Sequence, residues 1–461
     1  MTNLFAAPRD TAIPAYVVSS DGFKEFSKTL DKKTNAWVHA NAFCGKLGQA
    51  LMCPNIDGGF YCAMIGVGSD KDRLRSHFCL ATAARKLPSE TFYIANEFDL
   101  PDRDYELLGW LLNGYRFERY KSKPNKSPKL VVPDWADQAK LEALLKAETL
   151  CCDLINTPAC DMSPADLQDA TETLAREFGA ECNVFVGDEL LDQNFPLIHA
   201  VGRASFTPPR LIELNYGSSG PKLTLVGKGV CFDTGGLNLK TGGSMALMKK
   251  DMGGAANILA LARIIMELRY PCQLKVLIPA AENVVNGNAL RPQDVLVSRN
   301  GLSIEINNTD AEGRLLLADT LAYASEKDPD LIISMATLTG AARVAVGPDL
   351  CPFYAGSETY VDSLMQASRV AKDPIWHMPF WDPYEETIEP SIADLDNAPK
   401  SGFAGSITAA LFLRRFVSDP TAFIHFDIYG WNPSPKAGRP AGGALQGPRA
   451  IFEALGKLLK T

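Results

Sequence analysis

Charged side chains interrupt apolar or glycine-rich stretches of this sequence at three places, and the first of them lies in Val226–Gly236 (VGKGVCFDTGG). There an apolar run leads directly into Lys228 and then Asp233, and Lys240 follows on the same loop. Charges placed against a buried strand are unfavourable unless they are paired or bind a metal ion. The glycines around them allow close approach of the backbone. This segment therefore indicates a buried polar site.

The second segment is Met248–Gly254 (MKKDMGG), which contains Asp251. This residue lies at the predicted start of a long helix, where aspartate is a common N-cap. Taken alone, the capping role is the better interpretation. A ligand role gains weight only when the three segments are considered together.

The third segment, Asn308–Leu315 (NTDAEGRL), is the most informative. In an extended strand Asp310, Glu312 and Arg314 would point to one side, since they are two residues apart. Two adjacent carboxylates repel each other, and a divalent cation removes that conflict. The alternative is a solvated loop with a surface ion pair. The four carboxylates of the three segments can hold two metal ions, and ligation by oxygen suits Mn²⁺ or Mg²⁺, with Zn²⁺ as a further candidate.

The elements that must position these segments alternate between strands and helices. Apolar runs predict strands over Leu223–Val230, Gln273–Pro279 and Leu331–Met335. Helical spacing of apolar residues predicts helices over Asp251–Leu268 and Gly313–Lys327. This alternation is typical of an α/β fold with a mainly parallel central sheet flanked by helices, in which functional groups gather where strands end.

The first 130 residues predict a separate, smaller α/β unit. Its predicted elements are strands over Phe60–Val67 and Thr91–Ala95 and helices over Arg73–Leu87 and Asp104–Tyr115. The polar segment Lys121–Lys129 (KSKPNKSPK) suits an exposed boundary, and one long helix is predicted over Trp135–Ile155. We therefore expect an N-terminal α/β domain (1–130), a linker helix (131–155) and a larger C-terminal catalytic domain (156–461).

Composition restricts the class of protein. The chain has 461 residues, 46% of them hydrophobic, and a formal net charge of -8, which argues against general binding to nucleic acid or to anionic membranes. Its eleven cysteines include no CxxC pair, so disulfides are not expected and a reducing compartment fits best. The sequence shows neither a secretory signal nor an apolar stretch long enough to span a bilayer. We expect a cytoplasmic protein.

The three segments, in this order and at this spacing, resemble the signature segments of the leucine aminopeptidase (cytosol aminopeptidase) family. The final segment, His425–Gly447, is similar to the bacterial type of that family. NTPACDMSP (Asn156–Pro164) and ATLTGA (Ala336–Ala341) extend the resemblance, which covers the chain from Asn156 to the C-terminus. NTDAEGRL is highly specific. The resemblance implies a metallo-exopeptidase that releases N-terminal amino acids from peptides, with a leucine-like preference.

The resemblance also implies a site with two divalent metal ions, Mn²⁺ or Zn²⁺, with Mg²⁺ as a third candidate. The family's ligand positions are occupied here by Lys228, Asp233, Asp251, Asp310 and Glu312. Asp233 and Glu312 would bridge the two metals, and Asp310 would add its backbone carbonyl. A water activated by both metals is the implied nucleophile.

Further roles follow from the same resemblance. Lys240 would polarise the scissile carbonyl, and Arg314 would hold a bicarbonate ion that acts as general base, with the backbone of Leu338 close to it. Met248, Thr337 and Gly340 would lie near the first side-chain pocket. The family also implies a homohexamer.

Two other functions are alternatives to the aminopeptidase: a non-catalytic or DNA-binding regulatory protein on the same scaffold, and metal-dependent hydrolysis of phosphate esters. A phosphate-binding loop around Lys228 is rejected, because the residue after this lysine is Gly229 instead of Ser or Thr. Cys231 is interpreted as a packed thiol, and His377 or His425 could line a cleft.

Overall fold

The structure, a computed structural model, describes residues 5–6, 11–122 and 126–460. Residues 123–125 of the predicted boundary segment lie outside the described residues. The chain divides into two compact units. The first comprises residues 1–146, 370–372 and 433–441, and the second comprises residues 147–369, 373–432 and 442–461. The domain limits predicted from sequence stay a prediction.

The first unit contains a sheet of six strands among its described residues, in the order β1-β6-β5-β2-β4-β3. The strands are β1 (Phe5–Ala6), β2 (Ile13–Ser19), β3 (Ala50–Pro54), β4 (Phe60–Gly68), β5 (Thr91–Ile94) and β6 (Lys129–Val131). The helices are α1 (Phe23–Ser27), α2 (Lys32–Ala40), α3 (Asp70–Arg73), α4 (Cys79–Ala84) and α5 (Arg103–Leu112). Only β3 runs antiparallel to its neighbour in this described sheet. The α/β character predicted for this part of the chain is confirmed.

The single helix predicted over Arg73–Leu87 is wrong, because α3 ends at Arg73 and a second short helix, α4, begins only at Cys79. Phe78 separates them in an extended conformation (φ -130°, ψ 99°) and is fully buried. Its ring packs so closely on Gly109 that a Cβ at that glycine would lie 2.4 Å from the ring. Tertiary packing therefore overrides local helical periodicity.

The long helix also begins later than predicted, as α6 (Gln138–Asn156), because Asp137 accepts a hydrogen bond from the Lys140 N–H at 3.0 Å.

The second unit is built around a larger sheet of nine described strands, in the order β16-β15-β18-β14-β9-β11-β8-β7, with β10 paired to β11. The strands of this unit are β7 (Glu181–Val186), β8 (Arg210–Tyr216), β9 (Lys222–Gly227), β10 (Gly229–Asp233), β11 (Gln273–Asn283), β12 (Val295–Val297), β13 (Ser303–Glu305), β14 (Leu331–Ala336), β15 (Cys351–Ala355), β16 (Ile375–His377), β17 (Leu395–Asp396), β18 (Phe423–Asp427), β19 (Trp431–Asn432) and β20 (Gly442–Gly443).

The helices of this unit are α7 (Pro164–Phe178), α8 (Glu189–Asp192), α9 (Pro196–Gly202), α10 (Gly242–Met245), α11 (Gly253–Glu267), α12 (Gly313–Ser325), α13 (Gly340–Val346), α14 (Glu358–Val370), α15 (Gly405–Arg414) and α16 (Pro448–Leu458). Short 3₁₀ helices cover Ala159–Asp161, Met248–Met252, Asp382–Ile388 and Pro420–Ala422. Among the helices of the described residues, none combines the length and apolarity needed to span a bilayer.

The middle of the large sheet, β18-β14-β9-β11, is parallel, and antiparallel strands flank it on both sides. Every residue of β14 is buried, as expected for a central strand covered on both faces. Helix α11 is buried from its first residue to Met266, so it packs as a core helix and has no solvated face. The predicted α/β class with a mainly parallel central sheet is confirmed.

One predicted strand is interrupted at the point where the site forms. The sequence predicted a single strand over Leu223–Val230, whereas β9 ends at Gly227 and β10 begins at Gly229. Lys228 lies between them, and its N–H donates to the Met335 carbonyl at 3.0 Å. Helix α11 begins close against this break, since a Cβ at Gly227 would lie 2.7 Å from the Ala255 Cα. The glycine is therefore required for the close approach that brings the start of α11 to the end of β9.

Candidate functional site

Acidic side chains from three separate parts of the second unit meet at the carboxyl ends of its parallel strands. Asp233 ends β10, Asp251 lies in the 3₁₀ turn before α11, and Asp310 and Glu312 precede α12. One carboxylate oxygen from each of Asp233, Asp310 and Glu312 lies within 4.8 Å of the others. All four side chains line one cavity of about 600 Å³. The site therefore lies at the carboxyl ends of the parallel strands, where α/β sheets usually carry their functional groups.

A buried lysine amine lies inside this acidic cluster. Lys228 Nζ donates to Asp251 Oδ2 at 2.8 Å and to the Thr337 carbonyl at 3.2 Å, and it lies 2.9 Å from Glu312 Oε1. Burial disfavours the charged amine, but the surrounding carboxylates outweigh burial and raise the pKa of Lys228. A Cβ at Gly313 would lie 2.4 Å from the Lys228 Cε. A glycine after Glu312 is therefore needed to leave room for this lysine.

Asp251 is not a helix cap, so the interpretation favoured for this residue taken alone is wrong. Within the described residues, α11 begins after Met252 without any side-chain cap. The Asp251 carboxylate accepts instead from Lys228 Nζ and, at 2.7 Å, from the Thr337 hydroxyl. The 3₁₀ turn over Met248–Met252 directs it into the cavity, where it is 3% exposed.

The extended geometry predicted for Asp310, Glu312 and Arg314 is also wrong. Asp310 lies in a turn, Glu312 has helical dihedrals (φ -73°, ψ -33°), and Arg314 belongs to the first turn of α12. The turn is fixed by its neighbours, since the Asn308 side chain accepts from the Asp310 N–H at 2.8 Å. The two carboxylates converge because the chain reverses between them. Arg314 is buried and is not part of the described cavity lining.

Burial and mutual repulsion alter the acidity of the cluster. Burial and the neighbouring Asp251 raise the pKa of Asp233 to about 6, and burial and Asp233 raise the pKa of Glu312 to about 7. Lys240 lies on the other side of the cluster, with its Nζ 2.9 Å from Asp233 Oδ2 and in contact with Asp310 Oδ1. Carboxylates crowded in this way favour a bound cation, because a positive charge removes the repulsion between them.

The donor atoms fit divalent cations. In the described part of the chain, Asp310 Oδ1 and Glu312 Oε1 are buried and make no hydrogen bond. A lysine amine lies close to each of them, but not in hydrogen-bonding geometry. Buried polar atoms of this kind need a partner. Four carboxylates suit Mn²⁺, Mg²⁺ or Zn²⁺. The Lys228 amine would join them as a ligand only in its neutral form, which the charge of a bound cation favours.

Sequence reasoning missed the residues that orient the carboxylates. Asn283, the last residue of β11, donates from Nδ2 to Asp233 Oδ1 at 2.9 Å and to the Thr309 carbonyl at 3.0 Å. It thereby ties the first acidic segment to the third. The only signal in the sequence was a polar residue at the end of an apolar strand, which does not identify its partners.

The loop after β14 and the 3₁₀ turn over Met248–Met252 bring four of the predicted residues to the cavity. Met248, Thr337, Leu338 and Gly340 all belong to its lining. His425 is fully buried with its Nδ1 2.7 Å from the Ser334 hydroxyl, and neither His425 nor His377 is in the described lining. Cys231 is fully buried as expected for a packed thiol. All eleven cysteines are free.

Asp427, which the sequence did not single out, holds this loop in place. Its carboxylate accepts from the N–H groups of Leu338 (3.2 Å) and Thr339 (3.0 Å) and from the hydroxyls of Thr339 (2.5 Å) and Ser406 (2.8 Å). These four donors converge on one buried side chain at the end of β18. The loop that carries Thr337, Leu338 and Gly340 therefore depends on an acceptor that is distant in sequence.

We expect Asp427→Asn to lower the free energy of unfolding by about 1–3 kcal/mol, because an amide replaces one acceptor oxygen with a donor facing buried donors. Chemical denaturation measures this change. Ser406→Ala is the comparison, since it removes one of the four donors to Asp427 together with the acceptor of the Tyr354 hydroxyl, which lies 2.7 Å away. Equal stability of Asp427→Asn and the unmodified protein would contradict this account of the loop.

Comparisons with known proteins identify the family of the chain. The family model described as "Cytosol aminopeptidase family, catalytic domain" matches residues 149–450, and that described as "M17 aminopeptidase, N-terminal domain" matches residues 13–133. A probable cytosol aminopeptidase of Aquifex aeolicus is 34% identical, covering 98% of this chain and 96% of that protein. One from Roseiflexus castenholzii is 39% identical, covering 85% of this chain and 86% of the relative.

Solved structures of similar proteins point to the same family. The crystal structure of cytosol aminopeptidase from Coxiella burnetii has a TM-score of 0.92 and 40% identity, covering 98% of this chain and 99% of that one. The bottromycin maturation enzyme BotP in complex with Mn has a TM-score of 0.87 and 30% identity, covering 97% and 99%. Together with the matches along both units, these similarities show that the chain belongs to the cytosol aminopeptidase (M17) family of metallo-exopeptidases.

Proposed function

We propose that this chain is an aminopeptidase that depends on two divalent metal ions, Mn²⁺ or Zn²⁺ with Mg²⁺ as a third candidate. The proposed ligands are Lys228, Asp233, Asp251, Asp310 and Glu312. The observation that carries the proposal is the convergence of the carboxylate oxygens of Asp233, Asp310 and Glu312 within 4.8 Å. BotP, a similar structure, is described in complex with Mn, which supports manganese as the first ion to test.

When bound, such cations activate a water molecule and polarise the carbonyl that it attacks. Lys240 adds a second positive group from this chain, since its amine faces the cluster and lines the cavity. We propose that it stabilises the developing oxyanion. The amine is held by Asp233 and Asp310 on a short loop after β10, which restricts where it can donate.

Arg314 is proposed to hold a bicarbonate ion that serves as general base, with the backbone of Leu338 beside it. Its Nε and Nη1 atoms are buried and make no hydrogen bond among the described residues. A guanidinium with two unused donors matches a planar anion well. Bicarbonate dependence of the rate in carbonate-free buffer would test this role.

The substrate proposed is a peptide with a free N-terminus and a leucine-like first residue. Met248, Thr337 and Gly340 line the cavity that also contains the acidic cluster. A Cβ at Gly340 would meet nothing within 4 Å, and Met248 adds an apolar side chain to the lining, which supports room for an aliphatic side chain. A homohexamer and a cytoplasmic location are further proposals, supported by membership of the family and by the free cysteines. A monomer in light scattering would contradict the hexamer.

Thorough chelation is expected to abolish hydrolysis of leucine p-nitroanilide, and addition of Mn²⁺ should restore it. A parallel series with Zn²⁺, Mg²⁺ and Co²⁺ ranks the ions, and bound metal is measured by elemental analysis. Activity that survives removal of all bound metal would refute the proposal. The alternative of a non-catalytic or DNA-binding protein predicts no release of any amino acid even when metal is bound.

A further inference from the structure

Two cationic side chains in the cavity lining lie against the same tyrosine ring. The guanidinium carbon of Arg343 lies 5.1 Å from the ring centroid of Tyr429, and Lys250 Nζ lies 5.0 Å from the same centroid. All three residues belong to the lining. Neither cation has a carboxylate within ion-pair distance among residues 5–6, 11–122 and 126–460. They are therefore distinct from the lysines that pair with the acidic cluster.

The position of this pair associates it with the first side-chain pocket of the proposed function. Arg343 lies three residues after Gly340 on α13, so the two share one face of the helix. Lys250 lies two residues after Met248 in the same 3₁₀ turn. Each cation is thus attached to an element that also contributes a residue of the proposed pocket.

Lys250 is largely buried, but it lines the cavity and has no described acceptor for its amine. The residue is only 6% exposed, and its amine donates no hydrogen bond to a described residue. Its amine is not among the fully buried atoms that lack a partner, so it opens to the cavity that the residue lines, where it is available to a ligand. The contact with the Tyr429 ring offsets part of the cost of desolvating the rest of the side chain. A carboxylate supplied by a ligand would complete the site, because it accepts hydrogen bonds from an amine in either protonation state and from a guanidinium.

We propose that Arg343 and Lys250, positioned by Tyr429, bind a substrate carboxylate, and that this carboxylate is the side chain of an N-terminal glutamate or aspartate. The inference rests on the proposed function. The enzyme therefore releases acidic N-terminal residues in addition to leucine. A second source of the same chemistry is the C-terminal carboxylate of a dipeptide. The N-terminal side chain is favoured because both cations neighbour residues of the first side-chain pocket.

The test compares substrates that differ in charge alone. With the metal-loaded enzyme, kcat/KM for glutamyl p-nitroanilide is expected to exceed that for glutaminyl p-nitroanilide by about tenfold, as expected for a charge-assisted hydrogen bond. Arg343→Met should reduce this ratio at least severalfold, and Arg343→Glu should shift preference toward lysyl p-nitroanilide. Arg176→Met, which changes an exposed arginine of α7, should leave the ratio unchanged.

A second pair of substrates separates the two sources of carboxylate. Leu-Gly and Leu-Gly amide differ only at the C-terminus, and the inference expects Arg343→Met to change their ratio little. A loss confined to this pair would overturn the assignment to the N-terminal side chain. A wild-type Glu/Gln ratio of one or below, with leucine p-nitroanilide hydrolysed, would overturn the inference and leave the proposed function standing. Failure to hydrolyse any aminoacyl substrate would refute the proposed function itself.

Arg343→Lys, which keeps a cation, should retain part of the preference and shows whether a loss in Arg343→Met reflects misfolding.

Discussion

Glu312→Gln is expected to remove at least one of two metal equivalents per chain and to reduce kcat about a thousandfold or more, equivalent to roughly 4 kcal/mol. The glutamate is 1% exposed, and its Oε1 has no hydrogen-bond partner among the described residues. The amide is nearly isosteric but neutral, so it weakens the attraction for a cation without emptying the space that the side chain fills. The amide can also place a second donor group close to the Lys228 amine, which lies 2.9 Å from Glu312 Oε1.

Metal content by elemental analysis and kcat on leucine p-nitroanilide measure the two effects, and the melting temperature shows whether the fold survives. Glu213→Gln is the matched control, since Glu213 is also a buried carboxylate but pairs with Lys275 on the strands β8 and β11. It should lose stability and keep its metal. A Glu312→Gln enzyme with full metal and full activity would remove this residue from the ligand set.

The presence of an acidic cluster could be predicted from residue type, whereas its geometry could not. Asp310 and Glu312 were identified because adjacent carboxylates in an apolar context are costly, and that argument needs no coordinates. Their approach depends on a turn that Asn308 stabilises from two residues away, which a strand pattern does not reveal. Asp251 shows the same limit, because a helix cap and a metal ligand have the same local sequence. The contacts with Lys228 and Thr337, both distant in sequence, show that Asp251 is not a cap.

Contacts between remote segments explain what else the sequence did not show. Asp427 stabilises the loop at Leu338 and Thr339 from 88 or 89 residues away. Tyr429 meets Lys250 and Arg343 only in the folded chain. In each case the side chain is an ordinary residue in its own neighbourhood. Local patterns predict which strands and helices form, but the partners of a side chain depend on the order of strands in the sheet.

The second large effect is expected for Lys240→Met, which should lower kcat by about a hundredfold to a thousandfold, the usual result of losing one donor to an oxyanion. At saturating Mn²⁺ the metal content of the variant should be unchanged, because the Lys240 amine is not among the proposed ligands. The amine also lies 2.9 Å from Asp233 Oδ2 and contacts Asp310, so it competes with any cation for those oxygens. Removal of the Lys240 amine should therefore raise the affinity for metal and lower kcat.

The opposite signs of these two effects make the experiment decisive. If Lys240 only balanced the charge of the cluster, the variant would bind metal more tightly and kcat at saturating metal would not change. If it acts on the substrate, kcat stays low at any metal concentration. Titration of Mn²⁺ against kcat separates the two, with Lys240→Arg retaining part of the rate. Lys327→Met, at an exposed lysine just after α12, serves as the unaffected control. An unchanged kcat in Lys240→Met would leave the oxyanion without a protein donor from this loop and would assign its stabilisation to the metal ions alone.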